Sequence, residues 1–278
     1  MGDASVGVAA PAVGHTGNAL VRVDHVRLGY WVENRFQTAV GDASFEIRPG
    51  EKMIVIGPSG CGKSTMLKAI AGFIAPVGGS IAVAGRKTLA PGPDRAVVFQ
   101  EFDQLFPWRS VLDNVAYPLR VNGKSRRDAT ATAREFLELT HLAHAEDRYP
   151  HQLSGGMKQR VAIARALALD PVLLLMDEPF GALDAITRQR LQAELNRIVA
   201  HTNVTLFFVT HSIEEALVLG DRVVVLGNAP STVLEVVEVA QLGGPETLEY
   251  SRMRGKLRDL LAVENEDKLD EEDAVVFD

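Results

Sequence analysis

The chain has 278 residues, 46% of them hydrophobic, enough to bury a sizeable core in one or two domains, and a formal net charge of −7. Residues 264–278 hold eight acids against Lys268 alone, which accounts for that whole charge; the body is near neutral, and a general nucleic-acid binder, which needs a basic patch, is excluded. No apolar stretch approaches the ~18 residues of a membrane helix, so the chain is expected to be soluble or peripheral, and the single cysteine, Cys61, leaves no intramolecular disulfide and suits a reducing cytosol.

In chain order, residues 1–18 are rich in Ala, Gly and Val but lack the positive start and continuous apolar core of a secretory signal, and are predicted to be a mobile lead-in. Runs at 19–30, 43–47 and 80–84 read as strands of an additional antiparallel sheet. Runs at 53–56, 95–99, 172–176, 204–210 and 222–226 alternate with helical segments, the pattern of a parallel α/β core. The run 53–56 leads into Gly57, Pro58, Ser59, Gly60, Cys61, Gly62, Lys63 and Ser64, which fit the pattern G-x-x-x-x-G-K-[ST]; residues 63–70, Thr65 included, read as the helix leaving it.

A polyphosphate presents many negative oxygens, so its site needs many donors without crowding. Gly57, Gly60 and Gly62 permit positive φ and close approach, while backbone N–H groups and the helix dipole face the phosphates. Lys63 would then reach the β- and γ-phosphates and the Ser64 hydroxyl would coordinate Mg²⁺. Asp177 and Glu178 leave the run 172–176, whose length suits a strand buried on both faces. At the carboxyl edge of such a sheet Asp177 can hold Mg²⁺ through water and Glu178 can polarise an attacking water. Gln100 and His211 end two more of these strands. Ser154, Gly155 and Gly156 read as a helix start, and Lys158 in that helix reads as solvent-facing. Between residues 100 and 154 the chain turns helical, clearest at 126–139, in a stretch too short for an independent domain.

Leu153, Ser154, Gly155, Gly156, Met157, Lys158, Gln159 and Arg160, taken with the glycine loop and Asp177–Glu178, closely resemble the ATP-binding cassette (ABC) ATPases from about Tyr30 to His211. Met157 departs from the family's commonest form, where glutamine is frequent. The resemblance implies an α/β P-loop NTPase fold, the ABC cassette: a parallel core sheet, an antiparallel β-subdomain and a helical subdomain at about 101–160, all within 19–240. It further implies that Ser154, Gly155 and Gly156 bind the γ-phosphate held by a partner chain, that Gln100 touches Mg²⁺ or water and senses a membrane partner, and that His211 contacts the γ-phosphate. Asp184 is then the aspartate that crosses the dimer interface. Tyr30, which ends the first strand-like run, is the preferred adenine platform, with Phe36 in reserve and Trp31 a third choice. Residues 241–278 form a C-terminal extension whose acidic tail is expected to be solvated, flexible and too short for a folded regulatory domain.

Val98–Glu101, Leu105 to Arg109 and Asp177 to Asp184 look most like the nitrate/sulfonate/taurine importer branch. The resemblance thus implies an ATPase using ATP and Mg²⁺ at the cytoplasmic face of the cell membrane. Its partners are permease subunits, a second copy or a similar chain and, indirectly, a solute-binding protein; nucleic acid is not among them. Two rival readings are a soluble ABC ATPase not linked to transport and a nucleotide-dependent regulatory module that does not turn over. The long coiled-coil insertion or second cassette of the soluble members is missing from this sequence, and retention of Glu178 and His211 argues against the second rival.

Overall fold

A computed structural model describes residues 19–87 and 90–274, apart from the side chains of Phe102 and of 263–274; the expectation for residues 1–18 lies outside the described residues. The strands are β1 (Val21–Val32), β2 (Arg35–Ile47), β3 (Lys52–Ile56), β4 (Gly78–Val83), β5 (Arg86–Lys87), β6 (Arg95–Val98), β7 (Leu173–Asp177), β8 (Thr205–Val209), β9 (Arg222–Leu226) and β10 (Ser231–Glu238). The helices are α1 (Lys63–Ala71), α2 (Val111–Val121), α3 (Arg126–Leu139), α4 (Gly155–Leu167), α5 (Ala185–Thr202), α6 (Ile213–Leu219) and α7 (Leu248–Ala274).

The strands form one sheet in the order β5-β4-β1-β2-β10-β9-β3-β8-β7-β6. From β9 to β6 all neighbours are parallel, and β3 lies between β8 and β9. β1 pairs antiparallel with β2 and β4, so the two ends of the sheet have the two characters expected. They are nevertheless not separate sheets. β10, which has no counterpart among the predicted strands, pairs antiparallel with β9 and makes a short parallel contact with β2 at Ser231 and Thr232. Its Glu235 and Glu238 interrupt the apolar run, which hides it from a pattern search.

Period-two alternation sends successive residues of β3 to opposite faces. Ile54 and Ile56 join a core built with α2 to α6. Met53 and Val55 join a second core containing Met66, Leu67 and Ile70 of α1 and Val21, Val23, Phe45 and Ile47 of the antiparallel strands. α2 and α3 have no core of their own: Val111, Val115 and Leu119, with Ala129, Ala133 and Leu137, pack into the first of these two. α7 docks on the body through buried Tyr250 and Leu257, and its backbone stays helical to Ala274, through most of the acidic run expected to be flexible.

The junction between the two ends holds a buried charge network. Arg222, 9% exposed, donates from Nη1 to the Glu51 Oε1 carboxylate at 3.0 Å and to the Glu46 carbonyl at 3.1 Å. Removing one partner from such a pair leaves an uncompensated buried charge, which typically costs about 3–5 kcal/mol. Arg222→Ala should therefore lower the denaturant midpoint strongly, with Glu51→Gln in the same chain restoring part of it. An Arg222→Ala midpoint equal to wild type would remove this pair as the tie.

Candidate functional site

α2, α3, α4, α5 and α6 begin at Ser110, Ser125, Ser154, Asp184 and Ser212, whose side chains each accept a backbone N–H of the first turn. α1 does not: it begins at Gly62 with no side-chain cap and no acid in its first turn. Its leading N–H groups are orphan donors at the positive end of a dipole, the physical recipe for an anion site. The loop before it is tightly built. φ is +94° at Gly62, where a Cβ would stand 2.8 Å from the Val40 methyl. Gly57, against expectation, has no positive φ among the glycines that do; it is required because a Cβ there would meet the Cys61 sulfur at 2.7 Å and the Leu226 carbonyl at 2.9 Å. Buried Cys61 thus fills the loop's underside.

Lys63 is 6% exposed, and its Nζ donates to the Gly57 and Pro58 carbonyls at 2.9 and 2.8 Å. The ammonium is therefore fixed beside the loop rather than free in solvent. The Ser64 hydroxyl donates to Asp177 Oδ1 at 2.8 Å, bringing together residues 113 positions apart. This pair is a hard oxygen-donor set of the kind that suits Mg²⁺.

Asp177 ends β7, and the next residue turns sharply: Glu178 has φ +42°, a left-handed conformation that costs a non-glycine residue about 1–3 kcal/mol. Its N–H is tied to the Val209 carbonyl at 3.0 Å. The strained turn aims the carboxylate across the strand ends, where Glu178 Oε2 lies 2.8 Å from His211 Nδ1. Gln100 closes the same edge, its amide nitrogen beside Gly181 and 3.5 Å from where a Cβ on that glycine would stand. Ser59, Gly60, Gly62, Lys63, Ser64, Thr65 and Glu178 line a pocket of about 250 Å³.

Tyr30 lines that pocket too, with Ala39. Trp31 and Phe36 instead pack on each other edge to face, centroids 5.5 Å apart. Of the three aromatic candidates, Tyr30 is the one that lines this pocket.

Ser154, Gly155, Gly156 and Asp184 do not line this pocket. Ser154 Oγ accepts from Met157 N at 3.3 Å, and Asp184 Oδ1 from Thr187 N at 2.9 Å. That backbone bond holds the Asp184 carboxyl below the usual aspartate range. The two caps are neighbours, since a Cβ on Gly156 would stand 2.9 Å from the Thr187 methyl. The α4 start is thus capped and stands apart from the uncapped α1 start.

Several residues of this region give no local signal in the sequence. Gln104 holds the segment after Gln100 by bonding both backbone groups of Phe99 and the Glu101 carbonyl. Asn114, fully buried, bonds both backbone groups of Phe106. Arg165 of α4 donates to the Gln104 carbonyl at 2.7 Å and lies over the Phe106 ring. It is not a solvated helix residue, and Arg160 pairs with Glu194 at 2.8 Å.

Burial pushes the Asp177 carboxyl up and Glu178 adds to this, while the Ser64 bond, Lys68 and Lys63 oppose it. A carboxyl whose folded pKa exceeds its unfolded value binds its proton more tightly when folded. Its contribution to stability is present below the unfolded pKa and is lost as pH rises through the folded one. Asp177→Asn, which keeps an acceptor for Ser64, should therefore raise Tm at neutral pH without Mg²⁺. The gain should shrink as the buffer is taken down through the raised pKa toward the ordinary aspartate value near 4. A Tm difference independent of pH would contradict the assignment.

Residues 40–181 match the ABC transporter family. The chain is 46% identical over 243 residues to the nitrate import ATP-binding protein NrtC of Synechococcus elongatus, covering 86% of this chain but only 36% of that longer protein. It is 44% identical over 247 residues to the taurine import ATP-binding protein TauB of Rhizobium johnstonii, covering 86% of this chain and 94% of the relative. Among solved structures, the dimeric bacterial ABC transporter cassette MJ0796 superposes with a TM-score of 0.70 at 32% identity, covering 79% of this chain and 98% of that one. The fold, the pocket at the start of α1 and these likenesses agree, and the chain belongs to the ABC transporter family as an ATP-binding cassette with ATPase chemistry.

Proposed function

We propose that this chain is the ATP-hydrolysing subunit of an ABC importer for a small anionic or zwitterionic solute of the nitrate, sulfonate or taurine kind. The observation that carries the reading is the meeting of Lys63, Ser64, Asp177, Glu178 and His211 at the uncapped start of α1. The solute class rests on the names of the nitrate and taurine import relatives. No helix among the described residues is long and apolar enough to cross a membrane, so passage of a solute needs permease subunits, with this chain on their cytoplasmic face. A solute-binding protein would deliver the solute to them.

In this reading the α1 N–H groups and Lys63 hold the β- and γ-phosphates, and Tyr30 stacks on the adenine. Ser64 and Asp177, with Gln100, hold Mg²⁺, which supplies charge neutralisation at the phosphate oxygens when bound. Glu178 orients the attacking water and accepts its proton, and His211 fixes the Glu178 carboxylate while facing the γ-phosphate. The helix start at Ser154, Gly155 and Gly156 is left for the nucleotide of a second copy, with Asp184 beside it. A two-fold dimer then contains two composite sites.

Glu178→Gln should keep ATP binding while slowing phosphate release by ~10²-fold or more, because the amide is a poor proton acceptor. ATP should then trap the dimer, visible by size exclusion. Turnover at the wild-type rate would refute the role of Glu178, and a wild type that binds ATP without releasing phosphate would make the chain a regulatory module.

The permease surface is assigned to the loop after Gln100. Of the apolar residues Phe102, Leu105, Phe106 and Trp108 in this loop, Leu105 is core at 3% exposure and so does not face a partner; the Phe102 side chain lies outside the description. Trp108 is 71% exposed and packs against Phe106, whose far side meets Tyr117. Trp108→Ala should weaken co-purification with the permease or uncouple transport at unchanged ATP affinity, a hot-spot aromatic contributing ~2 kcal/mol or more. A cysteine at 108 that reaches the permease in no nucleotide state would rule this surface out.

A further inference from the structure

We propose that Arg188 and Glu215 are positioning residues that tie the segment carrying Asp184 to the segment carrying His211, so that engagement of Asp184 by a second chain bears on the hydrolytic site. The inference rests on the assignment of Glu178 and His211 above and assigns residues outside the nucleotide pocket.

Glu215 lies in the first turn of α6 and is 6% exposed, an unusual place for a carboxylate unless it is held on several sides. Its Oε2 accepts the Thr210 hydroxyl at 2.5 Å, and its Oε1 accepts Gln192 Nε2 at 3.1 Å. Arg188 Nε, itself buried and without a hydrogen bond, is 4.0 Å from that same Oε1. From its other end Arg188 donates through Nη2 to the carbonyl of Leu183 at 3.1 Å, the residue before Asp184. Thr210 precedes His211, and its hydroxyl also accepts the Ser212 N–H at 3.0 Å, bracketing His211 on both sides. The path thus runs from the Leu183 carbonyl through Arg188, Glu215 and Thr210 to the backbone of His211.

The geometry favours transmission over simple packing. Arg188 and Gln192 are one helical turn apart on α5 and both face Glu215; four residues on, Asn196 donates to the Val218 carbonyl of the same α6. This stripe fixes α5 to α6, so a shift of the start of α5 is carried to the turn before α6. The Thr210 N–H is pinned to the Val55 carbonyl of β3 at 3.1 Å, so motion there is a rotation about a fixed point. A Glu178–His211 contact of 2.8 Å has little slack for such a rotation.

The test is a double-mutant cycle of Arg188→Ala with His211→Ala in the full chain, read by single-turnover phosphate release and fluorescent ATP binding. The Arg188 side chain is 35% exposed, which makes a folded variant attainable. Arg188→Ala should lower the hydrolysis rate about 10-fold with ATP affinity within about 2-fold, but less than about 2-fold further in the His211→Ala chain, since it acts through that residue. Thr210→Val, cut at the other end of the path, should repeat the pattern if Arg188→Ala lowers Tm. Independent, multiplicative losses, or a loss confined to ATP affinity, would overturn the proposal. A wild type lacking turnover would instead refute the reading of Glu178, so the two failures are distinguishable.

Discussion

The start of α1 lacks what the described helix starts of α2 to α6 possess, a side chain to take its leading N–H groups. An uncapped helix start is ordinarily a local defect of about 1 kcal/mol. Here it is held at the end of the central strand β3, with no side-chain cap and no acid in its own first turn. The surrounding architecture follows from keeping that end open while supplying counter-groups around it. Parallel strands finish at one edge, so β7 delivers Asp177 and Glu178, and the loop after β8 delivers His211, to the same pocket edge. Burial that pushes the Asp177 carboxyl up is the electrostatic cost of the same arrangement, and a divalent cation beside Ser64 would reverse its sign.

Two cores divided by the sheet let this edge be both rigid and connected. α1 is clamped between β3 and the antiparallel strands, whereas α4, α5 and α6 lie on the opposite core. Phosphate-binding and relay elements therefore pack on opposite faces of the same strands. Arg222 joins the two parts of the sheet at its middle. The strain at Glu178 is tolerated because its N–H is fixed to β8 and its side chain to His211.

What the sequence made legible were features with a short physical grammar. The glycine loop, the strand before it and the Asp177–Glu178 exit each announce themselves within about ten residues, and the structure brings Lys63, Ser64, Asp177, Glu178 and His211 together. Glu235 and Glu238 hid β10 by interrupting its apolar run, in a strand half of whose residues are only partly buried. Asn114, Gln104, Arg165, Arg188 and Glu215 were illegible for a different reason. A polar residue on a helix or loop reads as solvated, and what buries it is contributed by segments up to 61 residues away, as with Arg165 and Gln104. Leu105 shows the converse: an apolar residue in an irregular loop reads equally well as a partner contact or as core, and only packing decides.

In the proposed dimer, the separation of the α1 and α4 helix starts has an energetic corollary. A single chain offers its α1 terminus to the phosphates but leaves Ser154 and its neighbours facing solvent with donors already capped at one position. In the proposed dimer, a nucleotide held by α1 in one copy would gain from the second start only when another copy approaches, so closure would be driven by ligand that neither protomer satisfies alone. Hydrolysis divides the charge between two smaller products and weakens that shared attraction. Asp184 is joined through Thr187 to the helix start at Ser154, so in the proposed dimer it would lie beside the arriving chain. Among the described residues, α5 and α6 are joined there by polar groups, Arg188, Gln192, Glu215 and Thr210, and not by apolar packing alone.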